Sequence, residues 1–156
     1  MEQVKSVAGG ETKNQLPHLR QQEAVVNILR TANYLRNYCS PIFDLHGITP
    51  QQYNVLRILR GAGLEGLPTL AIAERMIEQA PGITRLLDRL EAKKLVRRER
   101  PSDNRRQVLC YITKAGLDLV KELDVPMREQ AVEALRRLKN SEIEELIRLL
   151  ELARNE

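Results

Sequence analysis

Apolar positions change their period twice along this chain. From Glu23 to Cys39, residues Ala24, Val25, Ile28, Leu29, Ala32, Leu35 and Tyr38 or Cys39 keep an i, i+3, i+4 rhythm. That rhythm predicts an amphipathic helix, which Pro41 is expected to end or kink. Thr49, Pro50 and Gln52 ahead of YNVLRIL predict a second helix with a capping box and proline at its first position, stopping near Gly61 or Gly63. LAIAERM reads as a short third helix, and PGITRLLDRLEAKK as a fourth with proline in its first turn. The IEQA between them is a connection of roughly four residues, the length that sets two helices at a steep angle. After Leu95 the period falls to two. Val108, Cys110 and Ile112 alternate with Leu109 and Tyr111, and Pro101, Ser102, Asp103 and Asn104 supply turn chemistry, so a β-hairpin is predicted. Helical rhythm returns from Thr113 through Leu117, Val120 and Leu123, is disturbed at Pro126, and resumes with Ala131, Leu135 and Leu138. Ser141 with Glu144 predicts a capping box for a last helix carrying the apolar stripe Ile143, Leu146, Ile147 and Leu150. The stripe can pack on the chain's own core or on a second subunit. A terminal helix has few partners left within a compact domain, which favours dimerisation.

The predicted fold is therefore mainly α with a small β-hairpin, a winged helix-turn-helix flanked by N- and C-terminal dimerisation helices. Residues 1–17 read as a flexible polar arm, 18–47 as the first dimerisation region, 48–112 as the winged lobe and 113–156 as the C-terminal dimerisation helices.

Charge sharpens this picture. The net charge is only +4, but between Arg85 and Arg106 nine Lys or Arg face four Asp or Glu, so the rest of the chain is close to neutral. A contiguous basic patch of this kind suits phosphate neutralisation, or else is a solvated helix face. In a winged helix-turn-helix the basic helix would enter the major groove by its N-terminus, and the hairpin would lay arginines along the backbone or into the minor groove. Duplex DNA would then serve as the acid that the hairpin's arginines lack locally. A non-specific architectural or RNA-binding module would carry the same patch.

Composition excludes several other classes. With 3% aromatic residues and no Trp, an aromatic-lined cofactor pocket or a base-stacking platform is not expected. No apolar run reaches the ~20 residues of a membrane span, and the polar start lacks a signal-peptide core, so a cytoplasmic protein without membrane partners is expected. Cys39 and Cys110 lie far apart in unlike contexts and read as reduced thiols. With His18 and His46 they form no recognisable metal site. Without a Gly-rich phosphate loop or a nucleophile-base pair in a known local context, no enzyme activity and no cofactor are expected.

The ordered set LAIAERM, GITRLLDRLEAKKLVRR, SDNRR and YITKAG resembles the MarR family of bacterial and archaeal transcription regulators, over about residues 20 to 155. The resemblance implies a two-fold homodimer held by the first and last helices on a pseudo-palindromic double-stranded operator. It also implies release by a small anionic or phenolic effector, or by oxidation. Candidate DNA contacts are Gln79, Gly82, Thr84, Arg85 and Arg89 on the recognition helix, and Arg98, Arg105 and Arg106 on the wing. Asp103 is implied to steady Arg105 in the minor groove. Locally, Arg89 could instead pair with Asp88 or Glu91. Effector candidates are Tyr34, Arg36, Tyr38, His46 and Tyr53, near the implied ligand crevice. Cys39 could make a thiol sensor, but it lies near the end of the first helix, whereas peroxide-sensing relatives carry theirs near its start. Two positions depart from the family pattern. Lys94 stands where glycine commonly follows the recognition helix, at a cost of roughly 1 kcal/mol if φ is positive there, so another helix ending is expected. Ile77 and Glu78 stand where a Gly-apolar pair is frequent.

Overall fold

The computed structural model describes residues 17–78, 82–101 and 107–155. The chain divides into two compact units, residues 1–35 and 36–156. Helix α1 (Pro17–Leu45) runs through the first unit into the second. Between its start and Tyr34 it exposes Leu19, Val25, Val26, Ile28, Leu29 and Tyr34. The predicted arm, apart from Pro17, lies outside the described residues.

The second unit is built on α2 (Pro50–Ala62), a 3-10 turn (Gly63–Glu65), β1 (Leu67–Pro68), α3 (Thr69–Arg75) and α4 (Ile83–Ala92). Then follow β2 (Val96–Glu99), β3 (Leu109–Ile112), α5 (Lys114–Ala134) and α6 (Asn140–Arg154). The fold class is the predicted one, a helical protein with a small antiparallel sheet of order β1-β3-β2. Arg97 pairs with Tyr111 and Arg98 with Cys110 across the hairpin. Strand β1 was not predicted. Two residues are too few to show a period, and Pro68 argues against a strand except at an edge, which is where β1 lies.

Of the two outcomes expected at Pro41, an end or a kink, the first does not occur. Pro41 lies inside α1 and Pro126 inside α5, and neither ends its helix. An interior proline costs about 3 kcal/mol, whereas each large apolar side chain buried beside it returns roughly 1.5–3 kcal/mol. Ile42 and Phe43 after the first proline, and Val120 and Leu123 before the second, are all in the core.

Helix α2 begins as predicted. The Thr49 hydroxyl accepts from Gln52 N–H at 3.2 Å, and the Gln52 side chain accepts from Thr49 N–H at 3.1 Å, which satisfies a glutamine that is otherwise buried. Helix α6 does not. Its cap is Lys139, whose N–H donates to the Glu142 carboxylate at 2.7 Å, so the predicted pairing of Ser141 with Glu144 is displaced by two residues. Helix α4 starts at Ile83 with left-handed Gly82 as its cap, and Pro81, the predicted first-turn proline, lies outside the described residues. Helix α3 ends at Arg75, and Gln79 and Ala80 of the predicted IEQA connection lie outside the described residues.

The end of α4 corrects a further expectation. Lys94 does adopt positive φ, at 61°. Its N–H donates to Glu91 O at 2.8 Å and Leu95 N–H donates to Leu90 O at 3.0 Å, the two bonds of a Schellman turn. Neighbours hold that turn in place. The Thr113 hydroxyl donates to Lys94 O at 2.7 Å, Thr113 N–H donates to Leu95 O at 3.0 Å, and Gly116 N–H donates to the Thr113 hydroxyl at 3.1 Å. The ITKAG junction thus clamps the end of α4 and the start of β2 onto α5.

Candidate nucleic-acid interface

Helix α4 has two unlike faces. Leu86, Leu87 and Leu90 are buried, and Thr84, Arg85, Asp88 and Arg89 point outward. This is the i, i+3, i+4 division read from the sequence, and burial of the leucines leaves the basic face no choice but solvent or a ligand.

The acids of this face are occupied by one arginine. Arg98, reaching across from β2, lies 2.7 Å from Asp88 and binds Glu91 through two guanidinium nitrogens at 2.9 and 2.5 Å. Its backbone N–H adds a third bond to Glu91, at 3.1 Å. The hydrogen bonds from Arg98 hold the Glu91 carboxyl below its ordinary range, and the same bonds push the guanidinium pKa up. Asp88 and Glu91, the carboxylates that Arg89 could have paired with, are therefore taken by Arg98. Among the described residues no ion pair engages Arg85 or Arg89. Arg98, in turn, is tied to protein carboxylates and links β2 to α4.

On the hairpin, Arg97 stacks on the Tyr111 ring at 4.1 Å and pairs with Glu99, so it too is held by the protein. Arg100 is exposed at the end of the described strand. Asp103, Arg105 and Arg106, the predicted tip, lie outside the described residues, as does Gln79. Gly82 and Thr84 lie at the N-terminus of α4, where groove contacts were expected. Lys93 Nζ donates to the Gly47 carbonyl, and with Arg89 it borders a cleft of about 490 Å³ that also includes Asp44, Thr49 and Gln52.

The helix-turn-helix connection is fastened by pairings that sequence reasoning did not find. Ile77 N–H donates to Asn54 on α2 at 3.0 Å, and Glu78 accepts from Arg36 on α1 at 2.5 and 3.1 Å. Such partners lie 23 and 42 residues apart, so no local spacing reveals them.

A profile of the MarR family matches residues 48–108, from the turn before α2 to the start of β3. The regulator FarR of Neisseria gonorrhoeae is 31% identical over 69% of this chain and 74% of its own length. The homoprotocatechuate degradative operon repressor of Escherichia coli is 26% identical over 81% of this chain and 84% of its own. A crystal structure of a MarR transcription factor from Planctomyces limnophilus is 44% identical, with a TM-score of 0.67, and covers 84% of this chain and 95% of that one. The chain belongs to the MarR family. It is a DNA-binding transcriptional regulator and not an enzyme.

In this MarR-family chain the effector candidates of the second unit, Arg36, Tyr38, His46 and Tyr53, have unlike surroundings. Tyr53 is in the core, its ring 5.2 Å from that of Phe43, and burial pushes its hydroxyl pKa up. Arg36 is committed to Glu78. His46 Nδ1 lies 2.8 Å from Ile42 O and Nε2 lies 3.3 Å from Glu122, so both ring nitrogens face acceptors. Only the imidazolium donates to both, and the bond to the Ile42 carbonyl, more than Glu122, raises its pKa. Tyr38 alone among these lines a cleft between α1 and α5. Tyr34 belongs to the first unit and is half-exposed. Burial raises the thiol pKa of Cys39, which suppresses the thiolate a redox sensor needs. Cys110 is fully buried and raised for the same reason.

Proposed function

We propose that this MarR-family chain is a cytoplasmic, homodimeric repressor that binds a pseudo-palindromic operator and leaves it on binding a small molecule. The observation that carries the DNA-binding geometry is the outward face of α4, where Thr84, Arg85 and Arg89 point away from the core while Arg98 holds the neighbouring carboxylates. Gly82 and Thr84 at the N-terminus of α4, with Gln79 ahead of it, read base edges. Arg85 and Arg89 meet phosphates, and Arg105, steadied by Asp103, enters the minor groove beside Arg106. Arg98 positions the wing. Residues 18–47 and 113–156 carry the dimer, because α6 buries none of its residues within the chain and leaves Leu146, Ile147, Leu149 and Leu152 exposed. The name of the E. coli relative supports repression.

Selection of duplexes from a random pool tests the reading. It should return a two-fold site with half-site centres about one helical turn, roughly 10 base pairs, apart. Titrations at several salt concentrations then separate the roles of these residues. Arg85→Ala and Arg105→Ala should each weaken all duplexes and lower the salt slope by roughly 1 for every phosphate no longer neutralised, whereas Thr84→Ala should relax base preference with little change in slope. Recovery of a unique asymmetric site, or of no preferred duplex, counts against the operator reading.

A further inference from the structure

We propose that Asn54 is a positioning residue for sequence recognition: its side chain, carried on α2, holds the chain in place just ahead of the recognition helix. The proposal rests on the operator reading above and adds a residue that acts on base discrimination through Ile77 rather than by touching DNA. Helix α4 is fastened unequally at its two ends. Toward its C-terminus Leu87 and Leu90 are fully buried, Thr113 clamps the turn at Lys94, and Lys93 Nζ donates to the Gly47 carbonyl. At its N-terminus Ile83 is only partly buried, and the cap is Gly82, left-handed at φ 102°, with no side chain to accept a hydrogen bond from the first turn. A helix of ten residues is roughly 15 Å long, so a swing of about 4° about the fastened end moves its first turn by about 1 Å. Direct hydrogen bonds to base edges tolerate a change of only a few tenths of an ångström. The first turn therefore depends for its place on the chain that leads into it.

In that leading segment Met76 is buried, but the next side chain, Ile77, is 86% exposed and gives little anchorage. Ile77 is held by its backbone instead, whose N–H donates to Asn54 Oδ1 at 3.0 Å. Asn54 stands between Tyr53 and Val55, both buried in the core, so the acceptor is carried on a fixed reference. Glu78, the following residue, is bound by Arg36, but the two side chains of that pair are 48% and 44% exposed, and such a pair contributes little at physiological salt. The Asn54 bond joins two uncharged groups, so salt leaves it in place.

The test is a titration of the full chain, at about 0.15 M salt, with the duplex selected from the random pool and with a scrambled duplex. The quantity read is the ratio of the two affinities. Asn54→Ala should lower that ratio about tenfold, the worth of one spoiled base-pair contact, while affinity for the scrambled duplex and its salt slope stay unchanged. Its melting temperature should stay close to that of the unmodified chain, because the higher helix propensity of alanine offsets the lost hydrogen bond. Asn54→Asp keeps an acceptor for the Ile77 N–H and should restore most of the ratio; its added charge acts on both duplexes alike and cancels. Loss of folding would weaken both duplexes together and leave the ratio where it was. A ratio unchanged in Asn54→Ala, or one as low in Asn54→Asp as in Asn54→Ala, overturns the positioning role and leaves the operator reading standing. A ratio near one in the unmodified chain overturns the operator reading and this inference with it.

Discussion

Replacing Gly116 with alanine sets two effects of opposite sign against each other. Gly116 lies in the first turn of α5, and helix propensity alone predicts that alanine stabilises it by up to about 1 kcal/mol. The tertiary structure predicts the reverse. A Cβ at Gly116 would lie 2.3 Å from Leu95 O and 2.7 Å from Ile112 Cγ1. The side chain of Ile112 can give way, but the Leu95 carbonyl is held by Thr113 N–H and sits beside the Schellman turn at Lys94. Admitting the methyl group must push α5 off the junction between α4 and β2. Overpacking costs about 1–3 kcal/mol, and loosening the Thr113 to Leu95 hydrogen bond adds roughly 1 kcal/mol. After subtracting the propensity gain, the net destabilisation is about 1–3 kcal/mol, or a fall in Tm of roughly 2–4 °C per kcal/mol for a chain of this size. Urea and thermal denaturation followed by circular dichroism, at one fixed protein concentration because dimerisation would shift both midpoints, measures this directly. A midpoint equal to or above that of the unmodified chain would refute the argument that backbone approach, not propensity, selects glycine here.

Lys94→Gly should act in the opposite direction, raising stability by about 0.5–1 kcal/mol, since relief of positive-φ strain exceeds the added chain entropy of glycine; a lower urea midpoint contradicts the strain at Lys94. Glu91 has a folded-state pKa depressed chiefly by its hydrogen bonds from Arg98. Its contribution is therefore fully present above the ordinary carboxylate pKa and is lost as pH falls through the folded value. The acid limb of the stability profile should flatten in Arg98→Met, by less than about 1 kcal/mol because the pair is partly exposed; identical limbs in both proteins would show that the pair contributes nothing. In the proposed dimer, Ile147→Glu should lower the mass seen by light scattering from about twice the 17.9 kDa chain mass to that mass. An unchanged mass would remove Ile147 from the interface.

What the residues determined by themselves is local. Thr49, Pro50 and Gln52 specify the start of α2 because cap and capped groups are three residues apart. The leucines at 86, 87 and 90 specify which side of α4 is buried, because a helix converts spacing into direction. The change of period after Leu95 marks the hairpin for the same reason. What only the tertiary structure decided depends on groups far apart in sequence. Pro41 and Pro126 remain within helices because burial of their neighbours outweighs a lost hydrogen bond. Lys94 keeps a glycine-like conformation because Thr113, nineteen residues later, binds its carbonyl. Arg98 was readable from the sequence only as a phosphate ligand, and folding also brings its guanidinium to Asp88 and Glu91. Spacing along one helix or strand shows the direction in which a side chain points, but its partner is set by the packing of separate elements, which no local period encodes.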